Sequence, residues 1–202
     1  MNYPDFNNII IKEEAGVSPI SGDTFLLAKF AATLPPQKTL EVGCGSGFIS
    51  VYLTSLGFKV TATDINSNAI SLTQENTHAN NLEIICHESN LFSNITDSYE
   101  LILFNPPYGS TNNSSFASVL EFIKSLVPRN NSFIEKVVYA LIAKSRRELI
   151  QAFIDQAQSH LTANGTILLL IHKNEIDIIK NYKAKIVGQW KHMLLASFNF
   201  DV

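Results

Sequence analysis

Cysteine is scarce in this chain, with only Cys44 and Cys86 among 202 residues, and no apolar run approaches the roughly twenty residues of a membrane-spanning helix. Two cysteines cannot build a disulfide framework. The opening Met1-Asn2-Tyr3-Pro4-Asp5-Phe6 lacks the basic start and apolar stretch of a secretory signal, so a cytoplasmic location without a membrane partner is expected. Charge is also sparse, at 16% of residues and a net of -3, which argues against a protein that grips nucleic acid through its overall field. The sum hides a gradient: the net is -7 over residues 1–120, +3 over 121–150 and +1 over 151–202. Five histidines are scattered without metal-ligand spacing, and no metal is assigned. Apolar side chains, by contrast, make up 46% of the chain, enough for the full core of one soluble domain.

The order of the apolar runs points to an α/β architecture. After a strand-like run at Ile9–Ile11, the residues from Asp23 to Ala32 suit a short helix that ends before Pro35-Pro36. Residues 1–38 thus read as an N-terminal arm. Strand and helix patterns then alternate: strands at 39–42, 59–63, 82–86 and 101–104, helices at 46–56 and 67–80. This rhythm predicts a mostly parallel sheet with helices on both faces, one domain over 39–202. Residues 110–132, rich in Asn and Ser, interrupt it as a polar insertion. Ser145 and Glu148 have the spacing of a capping box, predicting a helix from Ser145 that stops at Asn164-Gly165. A strand over 166–171, a helix over 175–181 and an antiparallel pair at 186–190 and 193–200 complete the chain.

Two clusters stand at predicted strand ends. Glu41-Val42-Gly43-Cys44-Gly45-Ser46-Gly47-Phe48 lies where a strand becomes a helix, the place where open α/β sheets bind ligands. In the dinucleotide fingerprint the third glycine comes three positions after the second. Phe48 stands there instead, with Gly47 one position earlier, which weakens a nicotinamide reading. Cys44 within the loop suits a small buried side chain. Asp64 ends the next strand, placed for its carboxylate to accept both hydroxyls of a ribose.

At the tip of the fourth strand stands Asn105-Pro106-Pro107-Tyr108. Successive prolines end the strand and fix an extended turn. A planar nitrogen can then donate one hydrogen to the Asn105 side-chain oxygen and one to the Pro106 carbonyl while Tyr108 packs on the planar group, leaving its open face toward an electrophile. Attack on a sulfonium methyl fits this geometry. A non-catalytic cofactor-binding subunit and a nicotinamide oxidoreductase are the rival readings. Lys144, Arg146 and Arg147, near Lys136 and Arg129, read as a solvated helix face beside the substrate entrance, able to meet RNA phosphates or an acidic protein surface.

These motifs resemble the class I S-adenosylmethionine-dependent methyltransferases that methylate amino and amide groups. Val17-Ser18-Pro19-Ile20-Ser21-Gly22-Asp23-Thr24-Phe25-Leu26-Leu27 further resembles the HemK-like members, which act on a glutamine of peptide release factors. Ser21 stands where those members carry an acidic residue. The resemblance implies a Rossmann-like, seven-stranded sheet with an antiparallel last strand and S-adenosylmethionine as cofactor. It implies cofactor contacts from Thr24, Glu41, Gly43, Gly45, Gly47 and Asn105, a ribose held by Asp64, and adenine beside Ile65, Asn90 and Leu91. The substrate it implies is a macromolecule, a protein such as a release factor or a nucleic acid carrying an adenine or guanine amino group, and it leaves room for a small activator subunit.

Overall fold

The computed structural model describes residues 1–107 and 132–199, with the side chains of 132–143 left aside. Tyr108 and the polar stretch up to residue 131 lie outside the described residues.

The arm opens with a hairpin of β1 (Asn2–Tyr3) and β2 (Ile9–Ile10), followed by α1 (Gly22–Ala31). Seven further strands form one sheet: β3 (Lys38–Val42), β4 (Lys59–Asp64), β5 (Ile85–Glu88), β6 (Tyr99–Phe104), β7 (Leu161–His172), β8 (Lys185–Trp190) and β9 (Met193–Asn199). Between them run α2 (Phe48–Ser55), α3 (Ser67–Ala79), α4 (Ser132–Ala157) and the single turn α5 (Ile176–Ile179). The spatial order is β5-β4-β3-β6-β7-β9-β8. All neighbours are parallel except those of β9, which lies antiparallel between β7 and β8. This is the expected Rossmann-like sheet with its last strand reversed.

Period-two alternation gives the inner strands β3, β4, β6, β7 and β9 two buried faces, while the edge strands β5 and β8 are largely exposed. Leu101, Leu103, Leu168 and Leu170 turn toward α1 and α2, while Ile102, Phe104, Ile167 and Leu169 turn toward Ile150, Phe153, Ile154 and Ala157 of α4. The arm belongs to the first of these cores. Phe6 packs against Phe25, Phe48 and Tyr52 at ring separations of 5.0 Å each.

Several boundaries differ from the sequence reading. The helix expected to begin at Ser145 is the second half of α4, so the Ser145/Glu148 spacing caps nothing. That helix ends at Ala157, before the expected Asn164-Gly165 stop. Asn164 instead sits inside β7 at φ 64°, in a bulge where the β6 register jumps from Tyr99 opposite Leu161 to Leu101 opposite Thr166. β5 starts at Ile85 rather than at Leu82, because this edge strand pairs only with the last four residues of β4, Thr61 to Asp64. The helix expected over 175–181 is the short α5 flanked by two 3-10 turns.

Candidate active site

The register aligns three strand tips. Val42 lies opposite Thr63 on one side and Phe104 on the other, so Gly43, Asp64 and Asn105 follow side by side. The chain winds outward from β3 to β4 and β5, then returns to β6 on the other side. The crevice at this switch point is where open α/β sheets receive ligands.

The loop from β3 to α2 is held in a left-handed path, with φ of 70° at Gly43, 56° at Gly45 and 75° at Gly47. A Cβ on Gly45 would stand 3.8 Å from both Ser18 O and Val17 Cγ1, and all three residues line the cleft. The missing side chain therefore leaves the backbone open to a ligand. Gly47 differs: a Cβ there would approach the Thr73 side chain to between 2.7 and 3.0 Å, and the residue does not line the cleft. Its role is the close approach of the loop to α3. The loop is pinned by Cys44 N–H donating to Thr63 O at 2.9 Å and by the Thr73 hydroxyl donating to Gly45 O at 3.2 Å. Burial pushes the Cys44 thiol well above its ordinary range, the state of an inert packed side chain.

Two carboxyl groups meet at these tips. Asp64 accepts from Gly45 N–H at 3.0 Å with one oxygen and from Asn66 N–H at 2.9 Å with the other. Burial raises its pKa, and these backbone donors oppose the rise. Glu41 is 4% exposed and accepts from the Ser50 hydroxyl; its burial raises the pKa to about 8. Ser89 N–H donates to Asp64 O at 2.9 Å, which carries Asn90 and Leu91 to the far wall of the cleft.

Across from the loop, Asn105 donates from Nδ2 to the Thr24 hydroxyl at 3.3 Å. Thr24 is set by the first turn of α1, where Ser21 N–H donates to Thr24 Oγ1 at 3.3 Å and the Ser21 hydroxyl donates to Asp23. The Asn105 oxygen is left as an acceptor in the cleft. Beneath the turn lies Arg146, whose Nη1 donates to Pro106 O at 2.5 Å and Pro107 O at 2.8 Å. This corrects the basic cluster in part: Arg146 is 7% exposed and points inward and Arg147 pairs with Asp177, while Lys144 is exposed and lines the cleft as expected. It also shows one direction of the Pro106 carbonyl in use by the protein itself.

The cleft has a volume of about 1170 Å³. It brings together Thr24, Glu41, Gly43, Gly45, Asp64, Ile65, Asn90, Leu91, Asn105, Pro106 and Pro107, every sequence-derived site residue described except Gly47. Trp190 at the end of β8 and Lys191 and His192 of the β8–β9 turn line it too and carried no sequence signal. The room, the open backbone at Gly45 and the Asp64 carboxyl group at one end suit a nucleoside that bears positive charge.

Similarity to known proteins agrees with this geometry. Residues 19–128 match the family described as methyltransferase small domain. A putative protein N5-glutamine methyltransferase of Methanocaldococcus jannaschii is 32% identical over 167 residues, 82% of this chain and 77% of that protein. The release factor glutamine methyltransferase of Lactococcus lactis is 36% identical over 139 residues, 66% of this chain but 47% of its own length. Among solved structures, a 16S rRNA N2 methyltransferase of Thermus thermophilus, in complex with AdoMet and guanosine, superposes with a TM-score of 0.64 at 16% identity. That match covers 92% of this chain and 44% of the other, and it speaks for the fold.

Proposed function

Because the chain belongs to the methyltransferase small domain family and is an S-adenosylmethionine-dependent methyltransferase, we propose that its acceptor is the side-chain amide of a glutamine in a protein, a release factor being the first candidate. The observation that carries this reading is Asn105, oriented by Thr24 beside the glycine loop. S-adenosylmethionine, when bound, would supply a sulfonium methyl: the N–C bond forms as the S–C bond breaks to leave a thioether, and one proton of the acceptor nitrogen passes to solvent.

The residues of the chain do the rest by placement. Gly43 and Gly45 admit the cofactor to the backbone, Asp64 takes its ribose, and Ile65, Asn90 and Leu91 flank the base. Glu41, holding its proton up to about pH 8, borders the loop without adding a second fixed charge. Asn105 Oδ1 and the second lone pair of the Pro106 carbonyl accept the two hydrogens of a planar NH2 group, which turns its open face toward the methyl. An amide nitrogen is a weak nucleophile, and two acceptors raise its electron density while fixing its direction.

Methyl-tritiated S-adenosylmethionine given to the protein in a cell extract tests the acceptor. Label released by protease and retained through nuclease supports a protein amide; the reverse pattern assigns transfer to a nucleobase amino group and rejects the glutamine reading. Asn105→Ala should lower transfer by about 100-fold or more, the scale of lost orientation, with cofactor affinity on calorimetry nearly unchanged.

A further inference from the structure

The Asn105-Pro106-Pro107 turn has little backbone of its own to hold it, since neither proline has an N–H to give. The hold comes from elsewhere in the chain. Arg146 on α4 reaches both proline carbonyls with Nη1, while its Nε donates to Glu175 Oε1 at 2.9 Å and its Nη2 reaches Leu170 O at 3.5 Å. Glu175 uses its second oxygen to accept from His172 N–H at 2.7 Å. One guanidinium therefore ties the turn to α4, to the end of β7 and to the loop beyond it.

Both charges are out of water, with side chains 6% and 8% exposed. A buried ion pair contributes little net stability compared with apolar residues of the same volume. Its cost is offset where a planar fork must hold several oxygens in fixed directions, a task that suits Arg and not Lys. We propose that Arg146 is a positioning residue for methyl transfer: through the Pro106 and Pro107 carbonyls it fixes the direction in which Asn105 Oδ1 and Pro106 O meet the acceptor nitrogen, and Glu175 holds the guanidinium for that task. This rests on the reading that Asn105 and Pro106 hold the acceptor.

Two variants separate positioning from folding. Arg146→Lys keeps a cation beside Glu175 but loses the fork. The double variant Arg146→Met, Glu175→Met removes both charges; because it also takes the partners from the Pro106 and Pro107 carbonyls and from His172 N–H, its melting temperature should fall, and it is assayed well below that temperature. In each, kcat for tritiated methyl transfer into the extract should fall by about 100-fold while the dissociation constant for S-adenosylmethionine stays within about threefold. The Asn105 side-chain amide, followed by nitrogen-15 NMR, should lose its single sharp position in both variants. A double variant that is folded at the assay temperature, turns over within about threefold of the unaltered protein and keeps that resonance overturns the proposal. So does full turnover by Arg146→Lys, which would make the pair a structural salt bridge. Because each variant is compared with the unaltered protein on the same extract, label found in RNA would defeat the glutamine reading and leave this test intact, and the NMR arm needs no acceptor.

Discussion

Asp64 shows how one side chain serves the fold and the site at once. Each carboxylate oxygen already accepts a backbone N–H, so only the remaining lone pairs face a ligand. In Asp64→Asn one oxygen becomes an NH2 group, which faces a backbone N–H as donor against donor and can no longer accept a ribose hydroxyl. The dissociation constant for S-adenosylmethionine, measured by calorimetry, should rise by about 10- to 100-fold, the range for losing a hydrogen bond to a charged group. An unchanged constant removes Asp64 from the cofactor site. Asp64 was legible in the sequence because its meaning comes from its place at a strand end. Arg146 was not, since its partners lie at Pro106, Pro107 and Glu175, far away along the chain, and Lys144 and Arg147 beside it suggest a wet surface. A signal was nonetheless present. Arg146 is four residues before Ile150 and in phase with Phe153, Ile154 and Ala157, the buried face of α4.

Among the elements, α3 is the polar helix that secures the arm. Asn76, 1% exposed, accepts from Lys12 N–H at 2.8 Å and donates to Lys12 O at 2.9 Å and Ser46 O at 2.8 Å. Asn80 repeats the exchange with Ile10 N–H and O at 2.8 and 2.7 Å. Two side-chain amides thus pair with the arm as a neighbouring strand would, and Asn76 adds the glycine loop to the same junction. Asn76→Ala leaves Lys12 N–H, Lys12 O and Ser46 O without this partner, and of these bonds only the one to Ser46 O is fully buried. Urea unfolding should show a loss of about 1–3 kcal/mol, the cost of the one fully buried group left orphaned. A loss below about 0.5 kcal/mol would mean that the aromatic cluster around Phe6 holds the arm unaided. From sequence the arm seemed separate from the domain, because a hairpin of two-residue strands has no periodicity to read and its aromatic partners are distant along the chain. The long alternating segments were legible for the opposite reason: each carries its own apolar period, and parallel pairing follows from their order. The capping-box spacing at Ser145 misled because α4 is held by its buried face, whatever the local start signals are.

Across the whole molecule, three acids of the acid-rich segment, Asp23, Glu41 and Asp64, line the cleft, and the proton on Glu41 responds to pH. In the unfolded chain Glu41 ionises near 4.5, whereas in the fold it keeps its proton to about 8. Between those values the folded state binds the extra proton, so this group's contribution to stability is full below about 4.5, falls as pH rises and levels off above about 8. Thermal melts across this range should slope downward for the unaltered protein and less steeply for Glu41→Gln, which keeps the shape of the neutral acid and an acceptor for Ser50. Equal slopes would place the titrating group elsewhere. The sheet carries a different consequence, one of timing. A ribosome delivers β8 before β9, yet β9 lies between β8 and the rest of the sheet. The strand ending at Trp190 must therefore wait, unpaired on the sheet, until residues 193–199 have cleared the exit tunnel. Trp190, Lys191 and His192 reach the cleft in the same event, so this wall of the cleft is completed only once β9 is in place, and a chain made only as far as β8 cannot present a finished cleft.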